Sequence, residues 1–376
     1  MEEKMSDYQS MKRSKIYTLS AAKGIACFIV AANHYFNLYP VSLPVPLLYF
    51  KKWFSNGSYM VYLFLAISYF LASLKYYQTE HMNIGRESLI RYLRLVLPII
   101  ILYTIVYFLH RLGLFNKLEY ALAISGGGDK AIDYSKIPPP GVMYKTALFR
   151  TLIKSTADFV FPLWMIYAVF IGNIVTWLFC GIYVSLKNLK SRVSVSILFI
   201  LLVQQIDFFY VLCVLASCLA YACCQDIKMP RMLTIFCILF GIAAGFHRGR
   251  TSLDKWIYVV GSTALLFACI HSQILNTLCR CRLPLILEKL SFPIYLIHQP
   301  VTTSFCAYLY LYLNTTSLNI GLQNAVLFLA YLFLIILLAI IWLKAVQPLI
   351  EKSISFLVRV LVQEQLLQRK NGIRAG

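Results

Sequence analysis

The sequence predicts an all-α fold, a polytopic bundle of about ten membrane-crossing helices, and three observations predict it. Hydrophobic residues make up 60% of the 376 residues and charged residues only 13%, about half the charge of a soluble domain. The apolar residues fall into separate runs, most close to the roughly 20 residues that cross a bilayer as a helix. The basic residues lie between those runs, where membrane proteins keep them.

The runs lie at about 17–38, 57–77, 91–111, 161–184, 193–206, 208–224, 231–247, 256–275, 290–313 and 323–345. The fifth is the shortest, and only the turn QQID (204–207) parts it from the sixth. The first follows a polar leader of some 16 residues and is longer than the apolar core of a secretory signal, so it reads as a retained first span. With ten spans and the N-terminus inside, 22 Lys and Arg fall on the cytoplasmic side and 12 outside. Seven of those twelve sit in the long loop 112–160 and its flanks, and long loops weigh little in this bias. The chain is therefore expected to be a multi-pass protein of the cell membrane with both termini cytoplasmic. A cytoplasmic segment (1–16), a transmembrane domain (17–345) and a basic cytoplasmic tail (346–376) follow. The long outer loop contains GGGDKAIDYSKIPPPG (126–141), whose Gly and Pro clusters predict irregular structure. The tail stretch SISFLVRVLVQEQLL is partly amphipathic and is expected along the inner membrane surface.

Lys and Arg number 35 against 15 Asp and Glu, a formal net charge of +20. This distribution suits anionic lipid and an anionic substrate rather than nucleic acid. The eleven cysteines lie mostly inside apolar runs. None has a His at zinc-ligand spacing, so they read as small apolar residues, and no metal is expected.

Ionisable groups inside the apolar runs are costly and mark function. Lys23 and His34 stand in AAKGIACFIVAANHYF (21–36). Eleven residues turn a helix about 1100°, so the two share one face roughly 16 Å apart. Lys23 falls near the cytoplasmic end and His34 near the outer end. Lys23 reads either as a functional cation or as a long stem snorkelling to the interface. His34 reads as a proton-transfer group or as a histidine hydrogen-bonded between helices. Arg91 and Arg94 open the third span, with Arg86 just before them. Such a cluster suits phosphate groups, and equally a positive-inside anchor. Glu87 is placed to pair with Arg91. In LSFPIYLIHQPV (290–301), Tyr295 and His298 are three apart and share a face, for chemistry or for hydrogen-bonded packing.

Together and in this order, these stretches resemble the acyltransferase-3 family of membrane O-acyltransferases over most of the chain. Lys23-Gly24-Ile25-Ala26 followed by His34 is similar to the family's Arg-Gly-Ile-Ala and its histidine. VYLFLAISYFL (61–71) resembles the second-span motif at Val61, Phe64, Ser68 and Phe70. RYLRLVLP (91–98) is similar to the Arg-rich start of the third span. FPLWMIYAVF (161–170), with Trp164, resembles a proline-leucine-tryptophan opening, and LSFPIYLIHQPV resembles a late motif with Tyr, His and Pro. The sequence departs from the family at Lys23 for Arg, at Tyr69 for Gly, at Val169 and Phe170 for an acidic residue, and at AVQP (345–348), which lacks a Glu.

The resemblance implies His34 as the catalytic residue, Lys23 as its supporting cation, and Arg91 and Arg94 at the donor site. Arg86 joins those two arginines in the basic cluster expected to meet the donor's phosphates. Ser68, Trp164, Tyr295 and His298 are supporting or substrate-binding candidates. The donor implied is an acyl-CoA, foremost acetyl-CoA, and the acceptor a sugar hydroxyl of a surface or exopolysaccharide glycan. A glycan-precursor transporter would instead need paired intramembrane charges or a repeat. The sequence offers no repeat, and Asp207 alone reads as an intramembrane acid. A catalytically inactive relative is a third reading.

Overall fold

The computed structural model describes residues 16–40, 56–79, 82–127, 138–155, 160–225, 227, 230–249 and 251–373, with side chains described to residue 360. All regular structure among the described residues is helical. α1 (Tyr17–Leu38), α2 (Gly57–Gln78) and α3 (Ile84–Arg111) come first. α4 (Leu118–Ser125) and α5 (Pro140–Lys145) follow, α5 running through a π-helical turn (Thr146–Arg150) into Thr151–Ile153. A 3₁₀ turn, Phe161–Leu163, opens α6 (Trp164–Ser185). Then come α7 (Leu189–Val203), α8 (Val211–Cys224), α9 (Arg231–Phe246), α10 (Ser252–His271) and α11 (Gln273–Leu278). α12 (Arg282–Thr303), α13 (Phe305–Asn314), α14 (Ile320–Ile341) and α15 (Gln347–Ile373) complete the chain.

Each of the ten apolar runs is helical, and the whole is a helical membrane bundle. Five stretches are long and apolar enough to cross a membrane by length and composition: Gly57–Gln78, Ile84–Arg111, Phe161–Ser185, Ser252–His271 and Ile320–Val360. α1 and α12 are as long, at 22 residues each, but they fall outside that set because they carry the polar groups described below.

The structure corrects the sequence reading at several places. The segment 112–160, expected to be irregular, contains α4 and the helical stretch begun by α5. Tyr92 and Tyr103 of α3 bind that stretch through Leu148 O (2.8 Å) and Thr151 Oγ1 (3.2 Å). Gly126, with φ +66°, ends α4 in the left-handed conformation that glycine tolerates. Residues 1–15 of the N-terminal segment and 128–137 of the Gly/Pro-rich stretch lie outside the described residues. The run 290–313 breaks at Ser304, between α12 and α13. α14 continues through a π-helical turn (Trp342–Val346) into α15. Asp207, read as an intramembrane acid, lies half-buried in the turn between α7 and α8. It caps the turn before α8, taking the Phe209 N–H at 3.1 Å. Burial raises its carboxyl above the usual range, while that N–H and Lys255 oppose the rise.

α2 is the hub, packed by α1, α6, α8 and α10. α1 packs most extensively against α12. Small residues bring these helices close, as membrane interfaces require in the absence of a hydrophobic drive between helices. The Cys27 thiol of α1 donates to Ser291 O of α12 at 2.8 Å. α14 holds the other flank, with Tyr331 donating to Ala31 O at 3.0 Å and its ring 4.8 Å from that of Tyr35.

Candidate active site

The site forms where α1, α12 and the turn before α6 meet. His34 lies in the last turns of α1, half-buried. Its ring centre is 5.3 Å from that of His298, with the planes at 34°. Phe161 covers His34 edge-on at 6.0 Å. The covering turn is tied to α12 by Tyr295, whose phenol donates to Pro162 O. The Tyr295 ring lies 6.1 Å from His298. Three of the sequence motifs thus meet at one imidazole pair.

His298 is fully buried. Its Nδ1 lies 2.8 Å from Tyr295 O and 3.1 Å from Ile294 O, within its own helix. Pro293 and Pro300 interrupt the backbone ladder on either side, because proline has no N–H to give. Thr302 and Thr303 hydroxyls return to His298 O (2.6 Å) and Gln299 O (2.8 Å). This part of α12 is therefore polar on its buried side.

Toward the other end of α1, Lys23 turns inward. Its Nζ lies 5.4 Å from the centre of the Phe64 ring of α2. The charged groups acting on it are Arg91 of α3 and Glu288 of α12. Arg91 gives one η nitrogen to Ser68 Oγ at 3.3 Å, and its buried Nε has no hydrogen-bond partner among the described residues. Arg91 therefore meets Ser68 on the helix that also carries the Phe64 ring facing Lys23. Arg86 and Arg94 are exposed, so the three arginines do not share one face. Glu87 pairs with Lys75 of α2 at 2.5 Å rather than with Arg91. Trp164 stands beside the covering turn, its ring 5.6 Å from Phe209.

Glu288 is the functional candidate that the sequence reading missed, because it fell in a segment taken as a loop. The signal was present: Glu288, Ser291, Tyr295 and His298 follow the spacing of one helix face. Tyr69, the departure from glycine in the second-span motif, is also explained. Its hydroxyl donates to Ala168 O of α6 at 2.8 Å. Its ring lies on Gly172, where a Cβ would come within 2.2 Å of the hydroxyl oxygen. The partner helix supplies the space that a glycine at 69 would have left. Among the described residues no group of three His, Cys, Asp or Glu could hold a metal ion.

Fold and site define an integral membrane protein whose helices enclose a histidine-centred polar core. The family model described as an acyltransferase domain, of the acyltransferase-3 type, matches residues 16–344, most of the chain. The chain belongs to that family and is a multi-pass membrane acyltransferase. No curated protein and no solved structure gives a significant match.

Proposed function

We propose that the protein is an O-acyltransferase that moves an acyl group, foremost acetyl, from acyl-CoA to a sugar hydroxyl of a cell-surface glycan. The observation that carries the reading is the juxtaposition of His34 with a second imidazole inside the bundle, on the helix that also turns Lys23 inward over Phe64. A bilayer-embedded helix keeps such groups at a cost of several kcal/mol unless they are used or paired.

In this reading the donor approaches from the cytoplasm. Arg86 and Arg94, exposed at that end, meet its phosphates first, and Lys23 and Arg91 draw the remaining negative charge inward. The thioester reaches His34 along α1. His34 removes the proton of the acceptor hydroxyl, and the oxygen attacks the thioester carbonyl. The tetrahedral intermediate collapses, the C–S bond breaks, and the CoA thiolate takes the proton from the imidazolium. A variant route places the acyl group on the imidazole first.

The test is gene deletion, with ester-linked acetate measured on purified surface glycan, and complementation by wild type and His34→Ala at matched membrane levels. Acetate lost on deletion, restored by wild type and not by the variant, is expected. Unchanged acetate in the deletion strain counts against O-acetylation of that glycan. Restoration by the variant removes His34 from the mechanism.

A further inference from the structure

His298 and Gln299 are adjacent on α12 and almost wholly buried, at 0% and 4% exposure. Nδ1 of His298 faces two carbonyl oxygens, Tyr295 O at 2.8 Å and Ile294 O at 3.1 Å. Both can only accept, so Nδ1 carries the proton and Nε2 of the neutral ring offers a lone pair. That Nε2 has no hydrogen-bond partner among the described residues, although the His34 ring lies beside it. Oε1 of Gln299 has none either. The nearby hydroxyls of Thr302, Thr303 and Ser304 do not reach them. They donate to His298 O, Gln299 O and Pro300 O of their own helix. A buried polar atom without a partner costs free energy, and a protein that keeps two of them side by side keeps them for something outside itself. Their direction follows from Tyr295. Residues three and four further along a helix share its side, and the Tyr295 hydroxyl goes to Pro162 O. His298 and Gln299 therefore stand toward the turn that lays Phe161 over His34.

The two ends of the bundle differ in what they leave unmet. α14 runs antiparallel to α1, with Phe328 on Phe36 and Tyr331 on Ala31 O, so the π-helical turn after it lies at the Lys23 end. The bare buried atoms there are Nε of Arg91 and Nε1 of Trp342. Both can only donate, which suits a phosphate or a carbonyl. The bare atoms of His298 and Gln299 accept. Their ligand must bring hydrogens of its own. A phosphate ester has none to give, whereas a sugar with hydroxyls on neighbouring carbons has one for each. We propose that Nε2 of His298 and Oε1 of Gln299 form the subsite that recognises the acceptor sugar. Two hydroxyls of one sugar ring donate to them, which seats the acceptor beside His34. The subsite thereby selects sugars whose adjacent hydroxyls are both unsubstituted.

This inference rests on the acyl transfer proposed above, and two variants test it. Gln299→Met keeps the length of the side chain and removes the amide. His298→Phe keeps a ring and removes its nitrogens. The full-length protein in nanodiscs is given acetyl-CoA and the host's surface-glycan fraction. Free CoA and glycan-bound acetate are followed, per molecule of folded protein. Each variant is expected to raise the KM for the glycan about tenfold, the scale of one lost hydrogen bond, with the KM for acetyl-CoA unchanged. Gln299→Met is also expected to melt at or above the wild-type temperature, because apolar atoms replace a buried oxygen that has no partner. An unchanged glycan KM in Gln299→Met overturns the proposal. So does an equal or greater rise in the KM for acetyl-CoA, which would assign these acceptors to the amide N–H groups of the donor's arm. A lowered melting temperature for Gln299→Met, or its failure to accumulate as folded protein, overturns it too, since the amide would then be bonded within the protein. If His298→Phe does not fold, Gln299→Met decides. Wild-type protein that transfers no acetate to the glycan defeats the function proposed above and this subsite with it. Wild-type transfer with an unchanged glycan KM in Gln299→Met defeats only the subsite.

Discussion

Gly24 of α1 lies directly on Leu287 of α12: a Cβ at position 24 would stand 2.7 Å from Leu287 Cβ and 2.9 Å from its backbone carbonyl carbon. One of the two obstacles is main chain, so a side chain there cannot be accommodated by turning a rotamer. The contact sets how near the two histidine-bearing helices come.

Gly24→Ala is therefore expected to push α1 from α12 and to part His34 from His298. Overpacking of this kind costs about 1–3 kcal/mol. We expect a lower melting temperature in detergent and at least a tenfold loss of acyl transfer. A variant with wild-type melting and wild-type transfer would show that the contact does not govern the site.

Tyr69 and Gly172 should behave as one unit. Gly172→Ala drives a methyl group into the Tyr69 ring and is expected to destabilise by about 1–3 kcal/mol. In a Tyr69→Ala background the same change should cost much less, because the obstacle is gone. The double-mutant cycle is expected to give a coupling of about 0.5–3 kcal/mol. Strictly additive melting shifts would contradict the packing described.

The three arginines should separate in their response to salt. Arg86 and Arg94 are exposed, so the attraction proposed for them toward donor phosphates would be screened. Alanine at either should raise the KM for acetyl-CoA at low ionic strength and matter little at high. Arg91, half-buried against Ser68, should raise KM at both. Arg91→Lys should not restore it, since an ammonium lacks the fork that a guanidinium presents. Equal salt dependence at all three positions would argue against this division.

Tyr295→Phe removes one hydrogen bond, worth about 1 kcal/mol of stability, yet it unfastens the turn that places Phe161 over His34. Transfer is expected to fall several-fold at unchanged membrane abundance. If Phe at 295 left kcat untouched, the tether to Pro162 would be packing alone.

Much of this arrangement was legible in the sequence. The apolar runs located the helices because length and hydropathy are set by the bilayer itself. Lys23, His34, Tyr295 and His298 stood out because polar groups in such runs are rare. The pairing of His34 with His298 was not legible. It depends on how closely α1 and α12 approach, which is decided by small residues such as Gly24 that carry no signal alone. Glu288 was hidden because α12 begins well before its apolar part. The role of Tyr69 was hidden because it needs Gly172, about a hundred residues away in the chain. The division among the arginines was lost to helix geometry, since Arg86 and Arg94 turn outward where Arg91 turns in.

The polarity of α1 and α12 bears on how the molecule is made. α1 leaves the ribosome before α12, carrying a lysine and a histidine that bare lipid accepts poorly. The helix that offers His298 and Glu288 follows some 250 residues later. Until then α1 has only part of its cover, chiefly α2. A nascent chain halted before residue 282 would hold an unsatisfied polar stripe within the membrane, the kind of defect on which quality-control proteases act. Assembly of the histidine pair is then a late event in biogenesis.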